Sequence, residues 1–182
     1  MNKFSVKDLA RVSIVTALYV ALTLALAPIS FGNIQIRIAE MLILLCCFDH
    51  KYAYGLSLGC LITNIFSPLG WYDIVFGTLA TVISVIMVCV FKKHMLLATI
   101  FPVIFNGIIV GLELHFVFEL PLLITMLEVA AGELIAVSIL GYATFKPLSK
   151  NKKFMELVTS NRLQMESASL ISEDNDIVNK ED

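Results

Sequence analysis

Six apolar stretches run along the chain, at about 9–27, 34–48, 52–66, 73–91, 95–112 and 121–146, with short polar or charged breaks between them. Each reads as an apolar helix of the kind that lipid solvates. The second and third are short: fifteen helical residues rise only about 22 Å, against roughly 30 Å of hydrocarbon. Short segments of this kind serve as tilted spans, as paired half-spans or as cavity wall, so a re-entrant hairpin over 34–66 competes with two full crossings. After Pro147 the apolar pattern stops, and residues 148–182 are rich in Ser, Asn, Glu, Asp and Lys. The reading is a six-helix membrane domain over 1–148 and a polar cytoplasmic tail over 149–182. Lys152–Leu163 is expected to form a short surface helix, and the acidic remainder to be largely disordered.

Composition supports lipid as the solvent. Hydrophobic residues make up 58% of 182, against about 45–50% in a soluble domain. A chain of this size has too little interior to hide that much apolar surface from water. The first stretch also resembles a secretory leader, because Ala25-Leu26-Ala27 mimics a small-residue cleavage site. Pro28 directly after it makes a poor cleavage substrate, and further spans follow, so a retained helix is expected.

Charge chooses between topologies. With the N-terminus inside and six crossings, the inner regions hold twelve of the thirteen Lys and Arg, and the outer loops hold none. That is the positive-inside pattern. A re-entrant 34–66 would place Lys51 in the membrane or outside, so six transmembrane helices with both termini cytoplasmic are expected. The exception is Arg37, a few residues into the second span. Around it, the outer and intramembrane regions hold six acids: Glu40, Asp73, Glu113, Glu119, Glu128 and Glu133. An acidic region facing outward attracts a cation or a donor-rich polar solute.

The candidate chemistry centres on Gly55–Thr81, two apolar helices joined by a tight loop at Ser67-Pro68-Leu69-Gly70. Asn64, Trp71, Tyr72 and Asp73 cluster at that bend and suggest the wall of a substrate site. Asp73 either caps the following helix or binds ligand, and one carboxylate can do both. Trp71 and Tyr72 either belong to an interfacial belt or stack on a planar ligand. Arg37 and Glu40, three residues apart, either pair with each other or present Glu40 to a ligand. In the last span Glu128 and Glu133 lie deep in the membrane but some 140° apart around the helix. Asn64 and Asn106 are the buried amides, with interhelical hydrogen bonding as their ordinary role. Ala17, Ala21 and Ala25 form a small-residue stripe on the first helix, suited to internal packing or to docking a partner membrane protein.

Several classes are set aside. Cys46, Cys47, Cys60 and Cys89 lack metal-site spacing, so no metal or cofactor is expected. Gly55-Leu56-Ser57-Leu58-Gly59 matches the hydrolase G-x-S-x-G pattern, but lies in an apolar helix without a partner base. No catalytic residue and no enzyme are expected. There is no phosphate-cradling loop, so the chain supplies no ATP motor, and no nucleic-acid partner is expected.

The run Gly55-Leu56, Gly59-Cys60, Asn64, Pro68-Leu69-Gly70 and Asp73–Thr81, with Gln35-Ile36-Arg37-Ile38-Ala39-Glu40 before it, resembles the QueT family. The resemblance covers about 9–146; the family pattern has serine where Ala39 stands. It implies a substrate-binding S-component of an energy-coupling factor (ECF) transporter in the bacterial plasma membrane. It implies six helices, and a ligand held near the outer face. The Ala17 and Ala21 stripe would dock a transmembrane coupling subunit, and two cytoplasmic ATPases would supply the energy. The implied solute is prequeuosine, an aminomethyl-deazaguanine. Such a base offers N–H donors to one carboxylate, a cation to a second, and a flat ring to aromatics. Other readings are an S-component for another vitamin or base, a proton-coupled secondary transporter using Glu133 or Glu128, and a ligand-free assembly factor.

Overall fold

The computed structural model describes residues 4–32 and 35–159, and all regular structure among them is helical. The principal elements are α1 (Val6–Ala25), α2 (Ile38–Cys47), α3 (Tyr52–Ile65), α4 (Asp73–Val90), α5 (Met95–Phe118), α6 (Leu122–Leu148) and α7 (Lys152–Val158). Of these, α1, α4, α5 and α6 are long and apolar enough to cross a membrane. Of the tail 149–182, residues 160–182 lie outside the described residues, and with them the end of the expected Lys152–Leu163 helix and the acidic remainder expected to be disordered. Within the described part, Lys152–Val158 is a helix that packs against the body.

Each start and stop has a local cause. A capping box formed by Ser5 and Asp8 opens α1. Pro28 lies just beyond its end, inside the short helical turn Ala27–Ser30. Gly70 has φ 58°, a left-handed conformation that glycine adopts without a Cβ clash, and it lets the loop between α3 and α4 close on Ser67. Asn151 caps α7 by accepting from the backbone N–H groups of Lys153 and Phe154.

The short second stretch is accommodated by changing helix type. α2 is a 3₁₀ helix of ten residues. At about 2.0 Å per residue it reaches roughly 20 Å, where an α-helix of the same length would reach about 15 Å. Apart from Glu40 it is apolar on all sides, and Ala39, Glu40, Leu42, Ile43, Leu44, Leu45 and Cys46 are all buried. A helix that is apolar all round belongs inside, and α2 sits against α1, α3, α4 and α6.

Close approach is set by small residues. A Cβ on Gly55 would meet Thr16 Oγ1 at 2.6 Å and the Val12 carbonyl at 3.0 Å, so α3 lies directly on α1. Thr16 also donates to the Gly55 carbonyl at 2.9 Å. A Cβ on Gly111 would stand 2.7 Å from the Met126 Cα, which sets the packing of α5 on α6. Glycines at these positions allow this close packing.

At the end of the bundle where α1 begins and α7 lies, Phe48, Phe145 and Phe154 form an aromatic cluster. Arg11 donates to the Thr159 carbonyl at 2.6 Å and the Glu156 carbonyl at 3.1 Å, and Tyr52 donates to the Val158 carbonyl at 2.8 Å. These donors satisfy the carbonyls at the C-terminus of α7 and tie it to α1 and α3. Lys51 pairs with Asp8 at 2.5 Å in the same region.

Two helices carry wide, π-type turns, Asp73–Gly77 in α4 and Leu134–Gly141 in α6. Such turns are frequent at functional sites because they re-aim side chains relative to a regular helix. One begins at Asp73 and the other directly after Glu133.

Candidate functional site

The bend between α3 and α4 folds back on the approach to α2 and buries a polar network. Arg37 Nη2 donates to Asp73 Oδ1 at 3.0 Å, with the side chains 3% and 0% exposed. Ser67 donates its hydroxyl to the other carboxylate oxygen of Asp73. Asn64 Nδ2 donates to the Asp73 carbonyl at 2.8 Å and to Thr78 Oγ1 at 3.2 Å. The Arg37 guanidinium also lies over the Phe31 ring, 5.5 Å from its centroid. Asp73 therefore does not cap its own helix: its carboxylate is occupied by Arg37 and Ser67.

A second group adjoins the first. Tyr19 donates its hydroxyl to Glu40 Oε1, and Thr81 Oγ1 donates to the same oxygen at 3.3 Å. Cys60 Sγ links the two groups, 3.2 Å from Thr81 Oγ1 and 3.9 Å from Arg37 Nη1. The Arg37–Glu40 ion pair suggested by their spacing does not form. Arg37 precedes α2 in non-helical backbone and reaches across to α4, whereas Glu40 turns toward α1. Glu133 is buried within electrostatic reach of Glu40 and Arg37.

Gly77 makes room for this arrangement. A Cβ there would stand 2.8 Å from Asp73 Oδ1 and 3.0 Å from Asn64 Nδ2. Both atoms are held by hydrogen bonds and have little freedom to move aside. Gln35, two residues before Arg37, is buried and in left-handed backbone at φ 46°. Such a conformation in a non-glycine residue marks local strain, which concentrates at functional sites.

The network is polar but incompletely satisfied. Glu40 Oε2, Glu133 Oε2, both Glu113 carboxylate oxygens, Asn64 Oδ1, Gln35 Nε2 and Arg37 Nε are buried without a hydrogen-bond partner among the described residues. Orphaned polar atoms are costly in a protein interior, so a cluster of them asks for a partner. Most of these atoms are acceptors. One guanidinium stands among four carboxylates, Glu40, Asp73, Glu113 and Glu133, so the site suits a cation or a donor-rich solute.

Of the residues singled out in the sequence, the fold brings together Arg37, Glu40, Asn64, Asp73 and Glu133. Tyr72 stands beside them, half-exposed, and Trp71 is 78% exposed at the end of the bend. Asn106 is buried elsewhere on α5, donating to the Pro102 carbonyl of its own helix at 3.1 Å. Glu128 is half-buried and forms no hydrogen bond or ion pair among the described residues. Ser67, Thr81, Glu113 and Tyr19 also join the site. Ser67 stands in the tight loop, Thr81 in the run that carries the family resemblance and Glu113 among the outer acids, whereas the only sequence signal of Tyr19 is a polar group within an apolar stretch. Glu113 falls one residue beyond the expected end at 112, whereas α5 continues to Phe118.

The alanine stripe faces outward. Ala17, Ala21 and Ala25 are exposed, and the first two line an apolar groove of about 760 Å³ between α1 and α3, with Leu58 and Tyr54 on its far wall.

The pattern of one transporter family, the QueT transporter family, matches residues 9–150. The queuosine precursor transporter QueT of Lactococcus lactis subsp. cremoris (strain MG1363) is 36% identical over 148 residues, which cover 73% of this chain and 87% of that relative. No solved structure matches the chain.

Proposed function

The chain belongs to the QueT transporter family, a multi-pass bacterial membrane protein and not an enzyme, and on that premise we propose that it captures a queuosine precursor as the S-component of an ECF transporter. The observation that carries the capture role is the set of orphaned acceptors around Arg37 and Asp73. The precursor prequeuosine is an aminomethyl-deazaguanine, whose guanine-like edge supplies adjacent N–H donors and whose amine supplies a cation. Glu40, Asp73 and Glu133 form the acidic wall, Arg37 and Asn64 hold it in place, and Tyr72 and Trp71 stand at its mouth. Asn106 and Glu128 lie outside this wall and act, in this reading, through packing alone.

The proposed topology has six crossings with both termini cytoplasmic. Support comes from the confinement of nearly all Lys and Arg to one side. The 3₁₀ α2 and the short α3 then cross as the buried and the tilted member of the set. The proposed partners are a transmembrane coupling subunit, docked on the groove lined by Ala17 and Ala21 and continued toward Ala25, and two cytoplasmic ATPases. Small side chains on an exposed helix face allow the close helix–helix approach that association in lipid depends on.

The test is calorimetric titration of the purified chain in detergent with prequeuosine, guanine, thiamine, riboflavin and biotin. Tight binding of prequeuosine alone is the expected outcome. Tight binding of another solute retains capture and removes the ligand assignment. An absence of binding by folded protein rejects the capture role.

A competing reading, a proton-coupled secondary transporter, rests on Glu133, buried with an unpartnered oxygen near Glu40. Uptake into vesicles containing this chain alone, driven by a proton gradient, would favour it. A strict need for the ATPase module would exclude it.

A further inference from the structure

Between α4 and α5 lies a pocket of about 470 Å³, walled by Tyr72, Phe76 and Phe116 with Leu79 and Leu112, and carrying one charged group, Glu113. The volume falls within the range of small-molecule sites, roughly 300–1,000 Å³. Glu113 is 3% exposed, and neither of its carboxylate oxygens has a hydrogen-bond donor among the described residues. Its carboxyl lies against that of Asp73, within hydrogen-bonding reach, and within electrostatic reach of Arg37. The nearby guanidinium is already engaged, donating to Asp73 at 3.0 Å. Glu113 is thus a second carboxylate beside a completed ion pair, in apolar surroundings, with no cation of its own.

A buried carboxylate without a partner is unfavourable, and an incoming cation removes that cost. The aromatic rings around it also favour a cation over a neutral group, through the negative potential of their faces. Glu40 already accepts from Tyr19 and Thr81, and neither Glu40 nor Glu133 lines this pocket.

Resting on the capture reading above, we propose that Glu113 is the seat of the substrate's ammonium group and sets selectivity for charged over neutral bases. The planar ring lies toward Tyr72 and Phe76, and the amine reaches the carboxylate at the pocket floor. Glu113 is then a specificity-determining residue distinct from the Arg37–Asp73 pair, which keeps the neighbouring wall in register.

The experiment compares two ligands on the full chain in detergent. One is prequeuosine, and the other is the same base with a neutral hydroxymethyl group in place of the aminomethyl group. Wild-type protein is expected to prefer the amine. Glu113→Gln is expected to weaken prequeuosine binding about tenfold or more and to change binding of the neutral base by no more than about twofold, collapsing the preference. Glu113→Asp, which keeps the charge on a shorter arm, is expected to retain part of it. Binding of the neutral base by the variants reports that the fold is intact. Equal weakening of both ligands by Glu113→Gln, or an unchanged preference, overturns the assignment while leaving precursor capture standing. Failure of wild-type protein to bind either base overturns the capture reading and, with it, this seat.

Discussion

Arg37 and Asp73 are 36 positions apart in the chain, yet their side chains meet at 3.0 Å with almost no exposure. The contact joins the approach to α2 with the first turn of α4. It fixes where the bend between α3 and α4 sits relative to the buried 3₁₀ helix. Without Arg37, Asp73 would be an uncompensated charge in a low-dielectric interior, and without Asp73, Arg37 would lose its hydrogen-bonded counter-ion.

Removing one partner is therefore expected to harm stability more than removing both. Asp73→Asn or Arg37→Met alone should destabilise the folded chain by about 3–5 kcal/mol. The double variant should be less destabilised than the sum of the two. Thermal unfolding of the four proteins in one detergent measures the coupling. Strict additivity would show that the pair does not act as a unit.

Gly77 and Gly70 are expected to respond differently to alanine. At Gly77 the new Cβ collides with Asp73 Oδ1 and Asn64 Nδ2. Gly77→Ala should thus reduce ligand affinity by about tenfold or more, the effect of displacing positioned hydrogen-bonding groups by a few tenths of an ångström. At Gly70 nothing lies within 4 Å of the Cβ position, and the cost is the left-handed backbone. Gly70→Ala should cost about 1 kcal/mol of stability and leave affinity near wild type. Titration and unfolding of both variants separate the two effects.

Tyr19 is the donor that Glu40 depends on. Tyr19→Phe leaves Thr81, at 3.3 Å, as its remaining partner. The expected loss is about 1–3 kcal/mol, the cost of an unsatisfied buried acceptor. With Glu40→Gln also present the charge is gone, and Tyr19→Phe should cost measurably less. A loss of equal size in both backgrounds would assign the effect of Tyr19 to packing instead.

The groove on α1 tests partner docking without touching the ligand site. Ala21→Leu should fill the space beside Leu58 and block close approach of a partner helix. Co-purification with the coupling subunit is expected to fall sharply, while prequeuosine affinity of the isolated chain stays within about twofold of wild type. Retained co-purification in the Ala17→Leu, Ala21→Leu double variant would remove this face from the interface.

The sequence by itself determined the class of the protein. Apolar stretches of helical length, and a composition too apolar for water, require helices in lipid. The residues around Arg37, Glu40, Asn64 and Asp73 carried the family resemblance that the matched relatives establish. It also marked the buried charges Arg37, Glu40, Asp73, Glu113 and Glu133, because a charge inside an apolar run is conspicuous. Tertiary structure alone decided their partners. Spacing suggested Arg37 with Glu40, but the approach to α2 turns Arg37 toward Asp73 and leaves Glu40 to Tyr19 and Thr81. It also drew in Glu113, which sequence placed at the margin of a span, and set Trp71 outward at the end of its loop. The physical reason is that hydropathy reports which residues leave water, a property of each segment. The pairing of buried charges depends on helix type, wide turns and the close approach allowed by Gly55, Gly77 and Gly111, which bring together residues far apart in the chain.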